Sequence, residues 1–247
     1  MNEIDYADAP IPVRDDLPAA HTRAWRRLAA AGSWWTGAQH VAIAAEVRNA
    51  WGCALCIDRK DSISPYTLEG THDQVSDLAE EVVDAVHRIT TDCSRLTDAW
   101  YEQLLDSGQI SEGQYVELLD VVVTVVAVDR FCRGIGVPLR PLPEPVAGEP
   151  SHYRPAAAVR DVSWVPMIPN GQATGEEAGL YGAAGETANV VRALSLVPDA
   201  VRQLEDQCDA HYLAFEEMSD LTIRRALTRP QIELIASRVA SLRACVY

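Results

Sequence analysis

Apolar residues recur at helical spacing along most of the chain. Between 73 and 90, Val75, Leu78, Val82, Val83, Val86 and Ile89 share one helical face, and between 95 and 107 Leu96, Trp100, Leu104 and Leu105 do the same. Three capping boxes punctuate the pattern: Thr36-x-x-Gln39, Ser111-x-x-Gln114 and Thr228-x-x-Gln231. In each, the hydroxyl accepts from a backbone N–H three residues on while the glutamine reaches back. Pro230 falls in the first turn of the last, where proline is tolerated. The segment 112–134 is valine-rich and has high β propensity. It follows a capping box and ends at Gly134 and Gly136 with Pro138 beyond, so it reads as a buried helix. No stretch alternates in the manner of a strand bounded by hairpin turns. The expected fold class is all-α.

From Pro138 to about Gly185, prolines and glycines replace the helical pattern, which predicts a long connector with little regular structure. Helical signals resume at Glu186, with Leu194, Val197, Val201 and Leu204 on one side and Pro198 splitting the run in two. A last helix is expected from about Arg229. This last segment repeats an earlier one. With Cys53 placed on Cys245, the pairs Thr36/Thr228, Gln39/Gln231, Ile43/Ile235, Ala44/Ala236 and Val47/Val239 are identical, but the counterpart of Cys56 would follow Tyr247. The expected organisation is a first helical repeat at 15–145, a connector at 146–185 and an incomplete second repeat at 186–247, packed together or through a symmetric oligomer.

Charge narrows the partners. The net charge of -15 argues against nucleic acid, whose phosphates need a basic surface. The acidic N-terminus has no apolar core segment of the secretory kind, and the apolar run around Val121–Val128 is too short to span a bilayer. A cytoplasmic protein without membrane contact is expected. Six cysteines in 247 residues do not make a disulfide scaffold.

The candidate chemistry lies at Cys53-Ala-Leu-Cys56. Three residues apart on a helix, two thiols share a face and can form a strained, reducible disulfide. The motif lies deep in a helical stretch, so no helix N-terminus is evident to lower a thiol pKa, and a nearby cation, Lys60 or Arg59, is the alternative. Lys60 is the single lysine among 21 basic residues. Glu46, seven residues before Cys53 and two turns back on the same face, is a candidate for proton transfer. The competing interpretation is two buried cysteines acting as small hydrophobes. A zinc site would need four ligands, and neither a second Cys-x-x-Cys nor a close histidine pair is evident along the chain. No metal or cofactor is therefore expected.

The remaining residues rank lower. His72 and His87 read as loop or surface residues, and Trp34, Trp35 and Trp51 as core or subunit contacts. Cys93, Cys132 and Cys208 read as bystanders. Glu117 and Asp120 suggest a solvated face, and Asp129 and Arg130 a local pair.

The capped helix, the Cys-x-x-Cys, an apolar helix and then Gly136-Val-Pro-Leu-Arg-Pro-Leu-Pro-Glu-Pro145 together resemble the alkylhydroperoxidase D / carboxymuconolactone decarboxylase superfamily. Asn189–Pro198 is similar to a helix that often precedes its core. Cys-Ala-Leu-Cys followed by Arg59-Lys60-Asp-Ser-Ile-Ser-Pro-Tyr66 resembles an alkylhydroperoxidase-related subgroup, some of whose members carry selenocysteine. The peroxidatic members use Glu-x11-Cys-x-x-Cys-x3-His. The resemblance implies that the second cysteine attacks the peroxide, the first resolves it as a disulfide, and the glutamate and histidine move protons. In the second repeat Glu233 and Cys245 match. In the first repeat Cys53 and Cys56 match, but Val41 stands at the glutamate position and Lys60 at the histidine position. His40, Glu46 and His72 are the candidate substitutes.

Two expectations follow from the resemblance. If the codon after Tyr247 encoded selenocysteine, ordinary reading would stop where this sequence does; a fragment or a degenerate repeat is the plainer account. The function expected is a thiol-dependent peroxidase that takes a hydroperoxide substrate and is reset by a thiol or dithiol reductant, within a homo-oligomer. The alternative is a catalytically degenerate helical oligomer whose dithiol senses redox state or only packs. The lactone-decarboxylase branch does not depend on the Cys-x-x-Cys pair and fits less well.

Overall fold

The computed structural model describes residues 3–214, 217–218, 220–242 and 245. Among them the chain is all-α, and its only β pairings are two isolated bridges, Val159 with Met167 and Arg224 with Thr228. The helices are α1 (Asp16–Ala29), α2 (Gly37–Asn49), α3 (Ala54–Asp61), α4 (Glu80–Asp92), α5 (Asp98–Asp106), α6 (Glu112–Ile135), α7 (Asn189–Arg192), α8 (Pro198–His211) and α9 (Arg229–Leu242). None is long and apolar enough to cross a membrane.

Helix α2 is the hub. It packs against α1, α4 and α6, and its Ile43, Ala44 and Val47 are fully buried. The expected box caps it: Thr36 accepts from the Gln39 N–H, and Gln39 accepts from the Thr36 N–H. Helix α6 has the same cap at Ser111 and ends at Gly136, whose φ of 76° lies in the left-handed region that closes helices. Its Val116, Val121, Val122 and Val125 are buried in the cluster shared with α2, α4 and α8, and that burial overrides their β propensity. Pro198 occupies the first turn of α8, where its absent N–H costs nothing.

Three expectations shift. The helix read at 73–90 starts only at Glu80. The residues before it form a loop because the Val75 N–H and the Ser76 hydroxyl are turned onto the Glu46 carboxylate. The connector has little regular structure, as its prolines require, yet it is part of the core. Val165, Ile168, Leu180 and Tyr181 pack in one cluster with α2, α4, α6 and α8. Asp129 pairs with Arg48 across α2 and α6, and the Arg130 guanidinium stacks on Trp51. Trp35 is buried and donates from Nε1 to the Gln114 carbonyl.

Candidate functional site: a dithiol with two carboxylate-backed histidines

The helical stretch around the two cysteines is broken. Helix α2 ends at Asn49, a turn follows at 50–52, and Cys53 is the N-cap of α3 with ψ at 125°. This corrects the expectation of a motif deep within one helix. The chain starts again at α3 with Cys53 and Cys56 in its first turn. Both side chains are buried thiols.

Two histidines close over them. His72, in the loop before α4, places Nδ1 3.5 Å from Cys53 Sγ and 3.6 Å from Cys56 Sγ. His87, on α4, places Nδ1 3.3 Å from Cys56 Sγ. The two rings meet edge to face at 4.4 Å. Each histidine turns its other nitrogen to a carboxylate. His72 Nε2 lies 2.9 Å from Asp84, and His87 Nε2 lies 3.0 Å from Glu46. The carboxylates are themselves held. Asp84 accepts from Arg59 at 2.5 Å and Arg88 at 2.7 Å, and Glu46 accepts from the Val75 N–H and the Ser76 hydroxyl.

The titration directions follow from this wiring. Burial pushes the Cys53 thiol up, but backbone donors at Asp73 and Cys56, together with His72, outweigh it and hold the thiol below its ordinary value. Burial, then the neighbouring Cys53, pushes Cys56 up to about 12. Burial disfavours a charged Glu46, yet bonds from Ser76, His87 and Val75 together keep its carboxyl below the usual value. His72 is raised, because the Asp84 and Cys53 interactions overcome burial, whereas for His87 burial wins and the shift is downward.

The structure sorts the sequence candidates. Cys53, Cys56, Glu46 and His72 come together. Glu46 reaches the thiols through His87 and not along a shared helical face, because the helix breaks between them. Lys60 does not serve the thiols: its ammonium bonds the Thr91 carbonyl and Asp92, and Arg59 is the cation held in the cluster through Asp84. His40 is also elsewhere. Its ring nitrogens contact the Ala30 carbonyl and Glu117, beside a separate cavity of about 230 Å³ lined by Arg27, Thr124 and Gln203. Glu117 is accordingly no solvated face: it is buried and accepts from the Trp34 and Trp35 N–H groups. Glu233 on α9 bonds Arg229 and Tyr212, and Cys245 is exposed.

His87 and Asp84 are the residues sequence reasoning missed. A signal for His87 existed: it lies four residues after Val83 and one after Val86, within the apolar stripe of α4. A histidine there must be buried and partnered. The four-ligand objection to a metal site also falls, since loop and helix supply the histidine pair that chain spacing hides. A narrow cleft reaches Cys56 between Arg59, Tyr66, Arg88 and Arg95. Against known families, curated proteins and solved structures, the chain has no match.

Proposed function

We propose that the protein is a thiol-dependent oxidoreductase of the peroxidase type, with Cys56 as the attacking thiol and Cys53 as the resolving one. The observation that carries the reading is the chain Glu46–His87–Cys56, with contacts of 3.0 and 3.3 Å, at the cysteine that the cleft reaches. The resemblance to the alkylhydroperoxidase D superfamily supports it from the sequence side. His87 and Glu46, placed differently along the chain, would fill the roles left open at Val41 and Lys60.

The chemistry balances with a hydroperoxide as oxidant. Burial and the neighbouring Cys53 keep Cys56 a thiol at rest, so His87 takes its proton only as the sulfur attacks the peroxide oxygen. The O–O bond breaks, and the leaving alkoxide collects that proton as an alcohol. Cys56 is then a sulfenic acid. The Cys53 sulfur attacks it, a disulfide forms, and hydroxide leaves and is protonated to water. An external thiol or dithiol returns two electrons and two protons. His72, touching both sulfurs, is placed to relay a proton in the second step.

The test uses reduced, chelator-treated protein and one equivalent of hydroperoxide. Loss of two thiols per chain and a Cys53–Cys56 cross-linked peptide in the mass spectrum are expected. Cys53→Ser should stop at a trappable sulfenic acid on Cys56, and His87→Gln should slow thiol loss by about 100-fold. Thiols that survive, or react no faster than a free thiol, would leave the dithiol a structural or sensing element.

A further inference from the structure

The same four side chains have the geometry of a metal centre. Cys53 Sγ, Cys56 Sγ, His72 Nδ1 and His87 Nδ1 lie within 4.8 Å of one another. With Zn–S near about 2.3 Å and Zn–N near about 2.05 Å, tetrahedral angles separate a sulfur from a nitrogen by about 3.5 Å. The three sulfur–nitrogen contacts are 3.5, 3.6 and 3.3 Å. Ordinary packing of a thiol against an imidazole does not require a second histidine at the same separation, nor that both rings present the same nitrogen.

We propose that Cys53, Cys56, His72 and His87 bind one zinc(II) ion in a closed Cys2His2 site. The surroundings favour it independently of the distances. Histidine ligands to zinc commonly donate their distal N–H to a carboxylate, which fixes the tautomer and leaves the metal-facing nitrogen its lone pair. Both histidines present Nε2 to a carboxylate here, His72 to Asp84 at 2.9 Å, with Arg59 Nη1 3.2 Å from the same nitrogen, and His87 to Glu46 at 3.0 Å. The carboxylates are immobilised in turn by Arg59 and Arg88, and by Ser76 and the Val75 N–H. Charge is also accommodated. Two thiolates neutralise the dication, and the two arginines face Asp84. Four protein ligands leave no open position, so the ion is structural in type. It would pin the start of α3, the loop carrying His72, and α4 to one another. It would also withhold both sulfurs from oxidants, so the metal-free chain is the one competent for the chemistry proposed above. The metal site does not depend on that chemistry.

The experiment is a cobalt(II) titration of reduced, metal-free, full-length protein, followed by competition with zinc(II). One equivalent should give the intense visible bands of four-coordinate cobalt and a near-ultraviolet thiolate-to-cobalt band, both abolished by zinc. Cys53→Ser should lose part of the thiolate band, and His72→Ala should lose the four-coordinate spectrum. Glu46→Gln and Asp84→Asn retain all four ligands and should weaken zinc binding about 10- to 100-fold. Circular dichroism of each variant separates lost binding from lost folding. A wild-type chain that is folded but gives no four-coordinate spectrum would overturn the proposal. So would a folded His72→Ala chain with an unchanged spectrum, or carboxylate variants of undiminished affinity. Because no peroxide is present, these outcomes are read separately from those for the thiol chemistry.

Discussion

Helices α2 and α9 carry the same local instructions and meet opposite fates. Each opens at a Thr-x-x-Gln cap, and the Gln231 carboxamide accepts from Thr228 as Gln39 does from Thr36. The apolar positions coincide, yet Ile43 and Val47 are 0% and 1% exposed whereas Ile235 and Val239 are each 54% exposed. The difference lies in the neighbours. Helix α2 is enclosed by α1, α4 and α6, while α9 takes part in none of the principal helix pairings among the described residues. The acidic residues diverge likewise. Glu46 is sealed against His87, whereas Glu233 bonds Tyr212 and Arg229 in a half-exposed setting. A local pattern that specifies a helix and its apolar face therefore does not specify what covers that face, and the acid–histidine–thiol cluster forms only where it is covered.

The largest contrast should come from truncating the shared isoleucines. Ile43→Ala removes a fully buried side chain from the central cluster and should cost about 4 kcal/mol, whereas Ile235→Ala should stay within about 0.5 kcal/mol. Denaturant midpoints at constant slope measure both, and equal losses would mean that α9 is covered in solution. Next come the acids. Glu46→Ala in chelator-treated protein leaves His87, Ser76 and the Val75 N–H without their acceptor and should cost about 3 kcal/mol. Glu233→Ala should barely move the midpoint.

The attachment of α8, which precedes α9, gives a pH test. His21 on α1 is buried with its ring nitrogens against Tyr6 and His211, and Arg14 and Asp16 lie beside His211. Burial, and secondly His211, push His21 down to about 3. The unfolded chain takes up this proton first, near its ordinary value of 6.5. Stability is therefore complete above that value and falls as pH drops toward 3, by about 2 kcal/mol at pH 5 from this group. Urea midpoints between pH 7 and pH 5 measure the slope, and His21→Gln should flatten it. The smallest effect is at the caps. Thr36→Ala should cost about 1 kcal/mol of global stability, while Thr228→Ala should fray α9, seen as lost amide protection there, with the global midpoint unmoved.

Much of the candidate site could be read along the chain. The Cys-x-x-Cys, Glu46 and His72 were visible as residue types at suggestive positions, and the Thr36 and Ser111 caps located two helices to within a residue. What stayed hidden depended on direction. Glu46 lies two turns before Cys53 in sequence, but the break at 50–52 turns the backbone, so the carboxylate meets the thiols only through a histidine from α4. Asp84 and Arg88 could be seen as an ordinary pair four residues apart; that the pair also holds His72 requires the loop before α4 to fold back.

By itself, the sequence determined the helical class, the caps, the proline-rich connector and the presence of a dithiol, because each rests on interactions within a few residues. Tertiary structure decided which apolar faces are buried, that the connector joins the core, and that His72 and His87, distant in the chain, meet at the Cys53 and Cys56 thiols. Those outcomes rest on contacts between segments tens of residues apart. Their geometry is set by how α2, α3 and α4 pack, and spacing along the chain carries no direct record of that.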